Sequence, residues 1–312
     1  MYKVEKVSYG RFSAHRLVDQ TNDQYFEVLS DFGAGINDLV VKTKKGTNVS
    51  VISGYRSEDD IRYVHHTKFA GSKLSPFPNR IVEGQFQYAG QDFQLPVNEY
   101  GSKNHLHGFL HNKKCEVISQ VESDEMAEIV LRFDYLGTIQ GFPYSYSLTV
   151  TYHLDAEGVR IDTLIQNTSD TDIPMGDGWH PYFVFDNLNK VKLTMGKAER
   201  VSSLVGNVLT PTHGFEAQTY IEDQVFDDCF AVNEGMERFE VNLLDEDAGL
   251  DITLWQESGH ARYKYCQVYT PPSRKEIAIE PVSCPPNALN TNEGVVILTP
   301  GEEMKLTIGI SF

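Results

Sequence analysis

Between Tyr144 and Leu154 every second residue is apolar: Tyr144, Tyr146, Leu148, Val150, Tyr152 and Leu154 alternate with Ser145, Ser147, Thr149, Thr151 and His153. A period of two places the sets on opposite faces of an extended chain, so the segment reads as a strand with one buried face. Asp155-Ala156-Glu157-Gly158 then supplies turn residues before Val159, Ile161, Thr163 and Ile165 resume the alternation, which predicts an antiparallel hairpin. The period recurs in Ile129-Leu131-Phe133, in Phe239-Val241-Leu243 and in Met304, Leu306, Ile308, Ile310 and Phe312; the last run reads as a strand docked in a sheet. Helical periodicity is sparse. Ser57 followed by Asp60 resembles a capping box that opens a short helix through Asp60-Ile61-Arg62-Tyr63-Val64,. The pattern predicts an all-β chain, a sandwich or barrel with few short helices. No low-complexity linker, charge block or repeat divides the 312 residues, so residues 1–312 are expected to form a single domain, large enough to bury about 75% of its unfolded surface.

Charge narrows the function. With 44 acidic and 27 basic side chains the formal charge is −17, which repels phosphate backbones and anionic lipid and argues against nucleic acid or a membrane surface as partner. No apolar run approaches the ~20 residues of a spanning helix. Met1-Tyr2-Lys3-Val4-Glu5-Lys6 lacks the apolar stretch of a signal peptide, and a cytoplasmic location is expected. Cys115, Cys229, Cys266 and Cys284 stand far apart with no CxxC pair, and they read as reduced, buried thiols.

Polar and aromatic segments interrupt the strands where a β scaffold displays a site. In Ser75-Pro76-Phe77-Pro78-Asn79-Arg80-Ile81 two prolines stiffen a loop that delivers an amide and a guanidinium to one spot; Arg80 either grips a ligand's oxygens or is ion-paired,. In Asn104-His105-Leu106-His107-Gly108 an extended chain puts both imidazoles on one face,. Three readings remain: a metal site with His111, one imidazole acting as acid or base, or a histidine hydrogen-bonded in a polar core. Met175-Gly176-Asp177-Gly178-Trp179-His180-Pro181-Tyr182-Phe183 sets a tryptophan beside a histidine, as aromatic packing or as a face for sugar C–H groups,. Ile277-Ala278-Ile279-Glu280-Pro281-Val282 puts a carboxylate at the end of an apolar strand, before a proline expected to stop pairing,. Burial disfavours its charge, so it needs partners or a function. Phe226-Asp227-Asp228-Cys229-Phe230 adds two acids; one hydrogen-bonds sugar hydroxyls while the other faces water, or both terminate a strand,.

In this order, Asn79-Arg80-Ile81, Leu106-His107-Gly108, Trp179-His180-Pro181-Tyr182-Phe183, Phe226-Asp227-Asp228 and Ile279-Glu280-Pro281 resemble the motifs of the aldose 1-epimerase (galactose mutarotase) family. Gly84-Gln85-Phe86, Gln267-Val268-Tyr269-Thr270 and Leu298-Thr299-Pro300-Gly301-Glu302 agree with it. The resemblance implies a large antiparallel β-sandwich of the galactose-mutarotase type that interconverts the α and β anomers of free hexoses, galactose or glucose, without a cofactor or metal. Its partner is then a small aldose, with monomer and dimer both open. Carried across, Glu280 matches the general base, His180 the general acid and His107 a second site histidine. Arg80, Asp227, Asn79 and Gln267 match substrate-binding positions. Hemiacetal opening needs a proton to leave the C1 hydroxyl while another reaches the ring oxygen, which suits a carboxylate and an imidazolium. With ordinary pKa values near ~4.3 and ~6.5, Glu280 is expected to be ionised and to keep His180 protonated. The rivals are a hexose-6-phosphate 1-epimerase, a non-catalytic carbohydrate-binding sandwich, and a metal enzyme using His105, His107 and His111.

Overall fold

The computed structural model describes residues 1–99, 101–205, 208–210 and 218–312. The 144–165 pattern folds as expected: Ser145–Asp155 and Gly158–Asn167 form an antiparallel hairpin in which Asp155 pairs with Gly158 and Asp155 Oδ1 accepts the Glu157 N–H at 2.8 Å. Tyr146, Leu148, Val150, Tyr152 and Leu154 are buried along one face. Among the described residues this hairpin belongs to a nine-stranded sheet. Its spatial order is Glu116–Glu122, Ala127–Leu136, Ser145–Asp155, Gly158–Asn167, Glu303–Ser311, Leu250–Glu257, Arg238–Asp245, Lys192–Met195 and Gln218–Tyr220. The alternating run at 304–310 is thus an interior strand, paired on both sides.

A second sheet carries, in order, Val208–Thr210, Ala198–Val205, Asp227–Val232, Tyr265–Tyr269, Glu276–Val282, Gly178–Trp179 and Lys73–Leu74, with Tyr182–Val184 also paired to Glu276–Val282. The two sheets meet face to face as a β-sandwich. Tyr152 of the first packs its ring 6.2 Å from Trp179 of the second, and Ser75 Oγ donates to the Tyr146 hydroxyl at 3.3 Å. A buried ion pair of the second sheet reaches across to the first: Lys73 Nζ contacts Asp177, lies 4.3 Å from the Trp179 ring centroid and meets Thr163 Oγ1 of the first sheet at 3.1 Å. Burial pulls that ammonium down to about 8 against the opposing attraction of Asp177,. An amino-terminal sheet of five strands, Tyr2–Tyr9 to Asn48–Ser50, adds Phe26 to the same core, its ring 5.9 Å from Tyr152.

The short helix is present in a looser form. Asp60–Val64 is a single π-helical turn that continues as the α-helix His65–Lys68, and Ser57 Oγ accepts the Asp60 N–H at 3.0 Å,. The four cysteines are buried and form no disulfide. Among the described residues no helix is long and apolar enough to cross a membrane.

One expectation is corrected. Pro281 does not end its strand, which runs on to Val282, with Pro281 opposite Cys266. Ile279 and Ser283, two residues either side, send their N–H groups to Pro181 O and Asp177 O at 3.3 and 2.8 Å. By alternation the missing N–H of Pro281 faces the same neighbour. There the neighbouring strand is interrupted between Gly178–Trp179 and Tyr182–Val184, so little pairing is lost,.

Candidate active site

The interrupted strand pair sets the site. Along Ile277-Ala278-Ile279-Glu280 the period of two sends the isoleucines into the sandwich core and Ala278 and Glu280 to the other face of the sheet,. Residues directly opposite in register share a face, so Gln267, paired with Glu280, joins it, as do Tyr269 and Tyr182, both paired with Ala278, and Asp227, paired with Tyr269. Loops cover this face and leave a cavity of about 380 Å³, within the usual span of small-molecule sites,. Asn79, Arg80, His107, His180, Asp227, Gln267 and Glu280, the residues singled out in the sequence, all line it. Of the acid pair, Asp227 faces the cavity and accepts a hydrogen bond from Gln267 Nε2 at 3.0 Å. Asp228 is one step along the strand, buried, with a carboxylate oxygen 3.4 Å from the Asp227 N–H.

His180 sits in the gap between the two half-strands. Its backbone is held by Gly71 N–H donating to its carbonyl at 2.9 Å and by its own N–H donating to Ser72 O at 3.1 Å. The ring is stacked on Tyr182 at 4.8 Å and met edge-on by His107 at 5.2 Å. His180 Nε2 lies 3.5 Å from Glu280 Oε1. Its Nδ1 is buried with no partner beyond the residue's own carbonyl.

His107 is oriented by the Asn79 loop. The backbone N–H of Asn79 donates to His107 Nδ1 at 3.1 Å and the His107 N–H returns to Asn79 O at 2.9 Å. A backbone amide can only donate, so Nδ1 is the acceptor and the neutral ring carries its proton on Nε2. The next residue must be glycine. Gly108 has φ +64° and a Cβ there would lie 2.3 Å from Ser75 O, the carbonyl that receives the Phe109 N–H,. Arg80 lines the cavity and is ion-paired, Nη2 lying 2.9 Å from Glu99 Oε1.

Burial governs the titration of the cavity's ionisable groups. It pulls the His180 imidazole down to about 3, with Lys68 and Arg80 pushing the same way. It holds His107 well below the ordinary imidazole range, helped by His180 and Arg80. It lifts Glu280 well above the ordinary carboxylate range; Asp227 adds to this and Arg80 opposes it. The expectation of an ionised Glu280 keeping His180 charged is therefore corrected. Both groups are driven toward their neutral forms, which together hold one proton,.

The His105, His107 and His111 rings do not converge. His105 is buried with its ring nitrogens 2.6 and 3.1 Å from Pro96 O and Gly108 O, the polar-core reading. His111 Nδ1 meets His65 Nε2 at 2.8 Å. Among the described residues no group of three or more His, Cys, Asp or Glu is placed to hold a metal ion. The sequence reading gave no role to Tyr269, Lys68 or Glu99, which also line the cavity. Tyr269 follows from the period of two starting at Gln267; Lys68 and Glu99 lie outside any strand period.

A family model described as aldose 1-epimerase matches residues 16–311. The uncharacterized protein YihR of Escherichia coli is 29% identical over 253 residues, 77% of this chain and 78% of that one. Galactose mutarotase of Mus musculus is 28% identical over 163 residues, 52% of this chain and 45% of that one. Among solved structures, a galactose mutarotase-like protein from Clostridium acetobutylicum superposes with TM-score 0.83 at 17% identity, covering 99% of this chain and 97% of that one. Galactose 1-epimerase from Lactobacillus acidophilus gives 0.74 at 18% identity, covering 100% and 98%. With a family model matched over nearly its whole length, the chain belongs to the aldose 1-epimerase family, isomerases that act on sugars.

Proposed function

We propose that this protein is a mutarotase for free hexoses such as galactose and glucose, working by general acid and base catalysis with Glu280 and His180. The observation that carries the reading is the buried Glu280–His180 pair, 3.5 Å apart on one cavity wall. Glu280 as carboxylate takes the proton of the C1 hydroxyl while His180 as imidazolium gives one to the ring oxygen, and the C1–O5 bond breaks to the open aldehyde. Rotation about C1–C2 presents the other carbonyl face. The ring oxygen then attacks C1, returns its proton to His180, and the new C1 alkoxide recovers one from Glu280. The pair ends with the single proton it began with.

The remaining residues bind and orient. The His107 Nε2–H, fixed by the Asn79 amide, is a donor for an oxygen that gains charge as the ring opens,. Arg80 is a second, charged donor; Asp227 and Gln267 offer acceptor and amide groups to sugar hydroxyls. A free sugar is favoured over a phosphorylated one because the Lys68 and Arg80 side chains of the wall already face carboxylates, at 2.7 and 2.9 Å,. The test is polarimetry of freshly dissolved α-galactose and α-glucose with wild type and Glu280→Gln. Wild type should accelerate mutarotation and the variant should lose about 100-fold or more in kcat. A variant keeping more than about a tenth of the rate would remove Glu280 from the acid–base step.

A further inference from the structure

Arg80 is the arginine that lines the cavity with the Glu280–His180 pair, and one edge of its guanidinium is taken. Its Nε lies 3.0 and 3.1 Å from the two carboxylate oxygens of Glu99, and its Nη2 is 2.9 Å from Oε1. Its Nη1 is 3.5 Å from Asn79 Oδ1. Glu99 is itself pinned: Asn104 Nδ2 donates to its Oε2 at 2.8 Å, and the N–H groups of Asn98 and Glu99 both reach Asn104 O, at 3.2 and 3.1 Å. Asn104 is fully buried and its Oδ1 accepts the Glu83 N–H at 3.1 Å. The carboxylate is therefore held against Arg80 and is not a side chain that swings there by chance. Lys68, the other cation of the wall, is likewise matched, by Glu276 and Ser53 at 2.7 Å each. Around this neutralised wall stand the acids Asp227 and Glu280.

We propose that Glu99 is a specificity-determining residue: by neutralising the Nε and Nη2 edge of Arg80 it confines the cavity to uncharged aldoses and rejects sugars that carry a carboxylate, the hexuronates. This rests on the mutarotase reading and deepens it. An anionic sugar entering the cavity meets no unmatched cation to offset the loss of hydration of its carboxylate, and the Glu99 carboxylate already occupies the Arg80 edge that would have received it,. Removing the Glu99 charge leaves the Arg80 positive charge uncompensated at the cavity wall.

The experiment compares kcat/KM for mutarotation of galacturonate and of galactose, at fixed ionic strength, for wild type, two charge-removing variants, Glu99→Gln and Glu99→Ala, and the charge-keeping Glu99→Asp. Wild type should prefer galactose. Either charge-removing variant should move the galacturonate to galactose ratio by about tenfold or more toward the uronate, and added salt should shrink that shift. Glu99→Asp should stay near the wild-type ratio. An unmoved ratio in the charge-removing variants overturns the inference, and so does an equal shift in Glu99→Asp, which would make Glu99 a brace for its loop. Wild type that accelerates neither sugar would defeat the mutarotase reading itself; wild type active on galactose with an unmoved ratio would defeat only the role of Glu99.

Discussion

Glu280 is held where its charge is unwelcome, and that has two measurable consequences. A carboxyl whose folded pKa is raised favours the folded state below its ordinary range near ~4.3 and gives up that advantage as pH rises. At pH 7 the wild type has therefore lost what Glu280→Gln keeps, and thermal unfolding should show the variant with the higher Tm although it is far slower; an equal or lower Tm would mean that Glu280 carries its charge at little cost. The second consequence is the pH profile. In the proposed mechanism one proton on the pair is the working state, with Glu280 raised and His180 lowered to about 3. The acid limb of kcat/KM should lie below the ordinary imidazole range and the alkaline limb above the ordinary carboxylate range. An acid limb near ~6.5 would instead report an imidazole that burial does not shift. At this scale the residues were readable because each sits in a short contiguous motif, Trp179-His180-Pro181 or Ile279-Glu280-Pro281. Glu99 was not, since its partner Arg80 is 19 positions away and only folding joins them.

At the scale of elements, Lys73 and Asp177 form a buried ion pair within the second sheet, and Lys73 reaches Thr163 of the first. Substituting Lys73→Met leaves a buried carboxylate without its cation and should cost about 3–5 kcal/mol in urea unfolding, whereas the double variant Lys73→Met/Asp177→Leu should recover most of it. Equal losses in single and double variants would show that packing, and not the unpaired charge, sets the cost. The alternation of 144–165 and 304–310 exposed these strands plainly because one face of each is core and the period of two is unbroken. The Pro281 strand was misjudged at its end for a definite reason: a proline stops pairing only where its N–H is needed, and the local sequence does not show that the neighbouring strand is broken there. The helix at Asp60–Val64 was legible from its Ser57 cap, but not its π-helical hydrogen bonding, which no propensity encodes.

For the whole molecule, burial of imidazoles makes acid the weak side. His65 and His111 are pulled down to about 2 and about 3, His180 to about 3, and His107 well below its ordinary range, in each case chiefly by burial. A histidine with a lowered folded pKa contributes stability that is present above the unfolded value near ~6.5 and lost as pH falls below it. In the Glu280→Gln variant, where the opposing titration of that carboxyl is absent, the urea midpoint should therefore decline from about pH 6.5 downward; a midpoint flat to pH 4 would contradict neutral burial of these rings. The interior position of Glu303–Ser311, between Gly158–Asn167 and Leu250–Glu257, bears on biosynthesis. During translation the two portions of the nine-stranded sheet must wait, each presenting an unpaired edge, until residues 303–311 leave the ribosome and zip between them. A nonsense codon or a proteolytic cut just ahead of that segment would spare every residue of the cavity and still deny the nascent chain its closure.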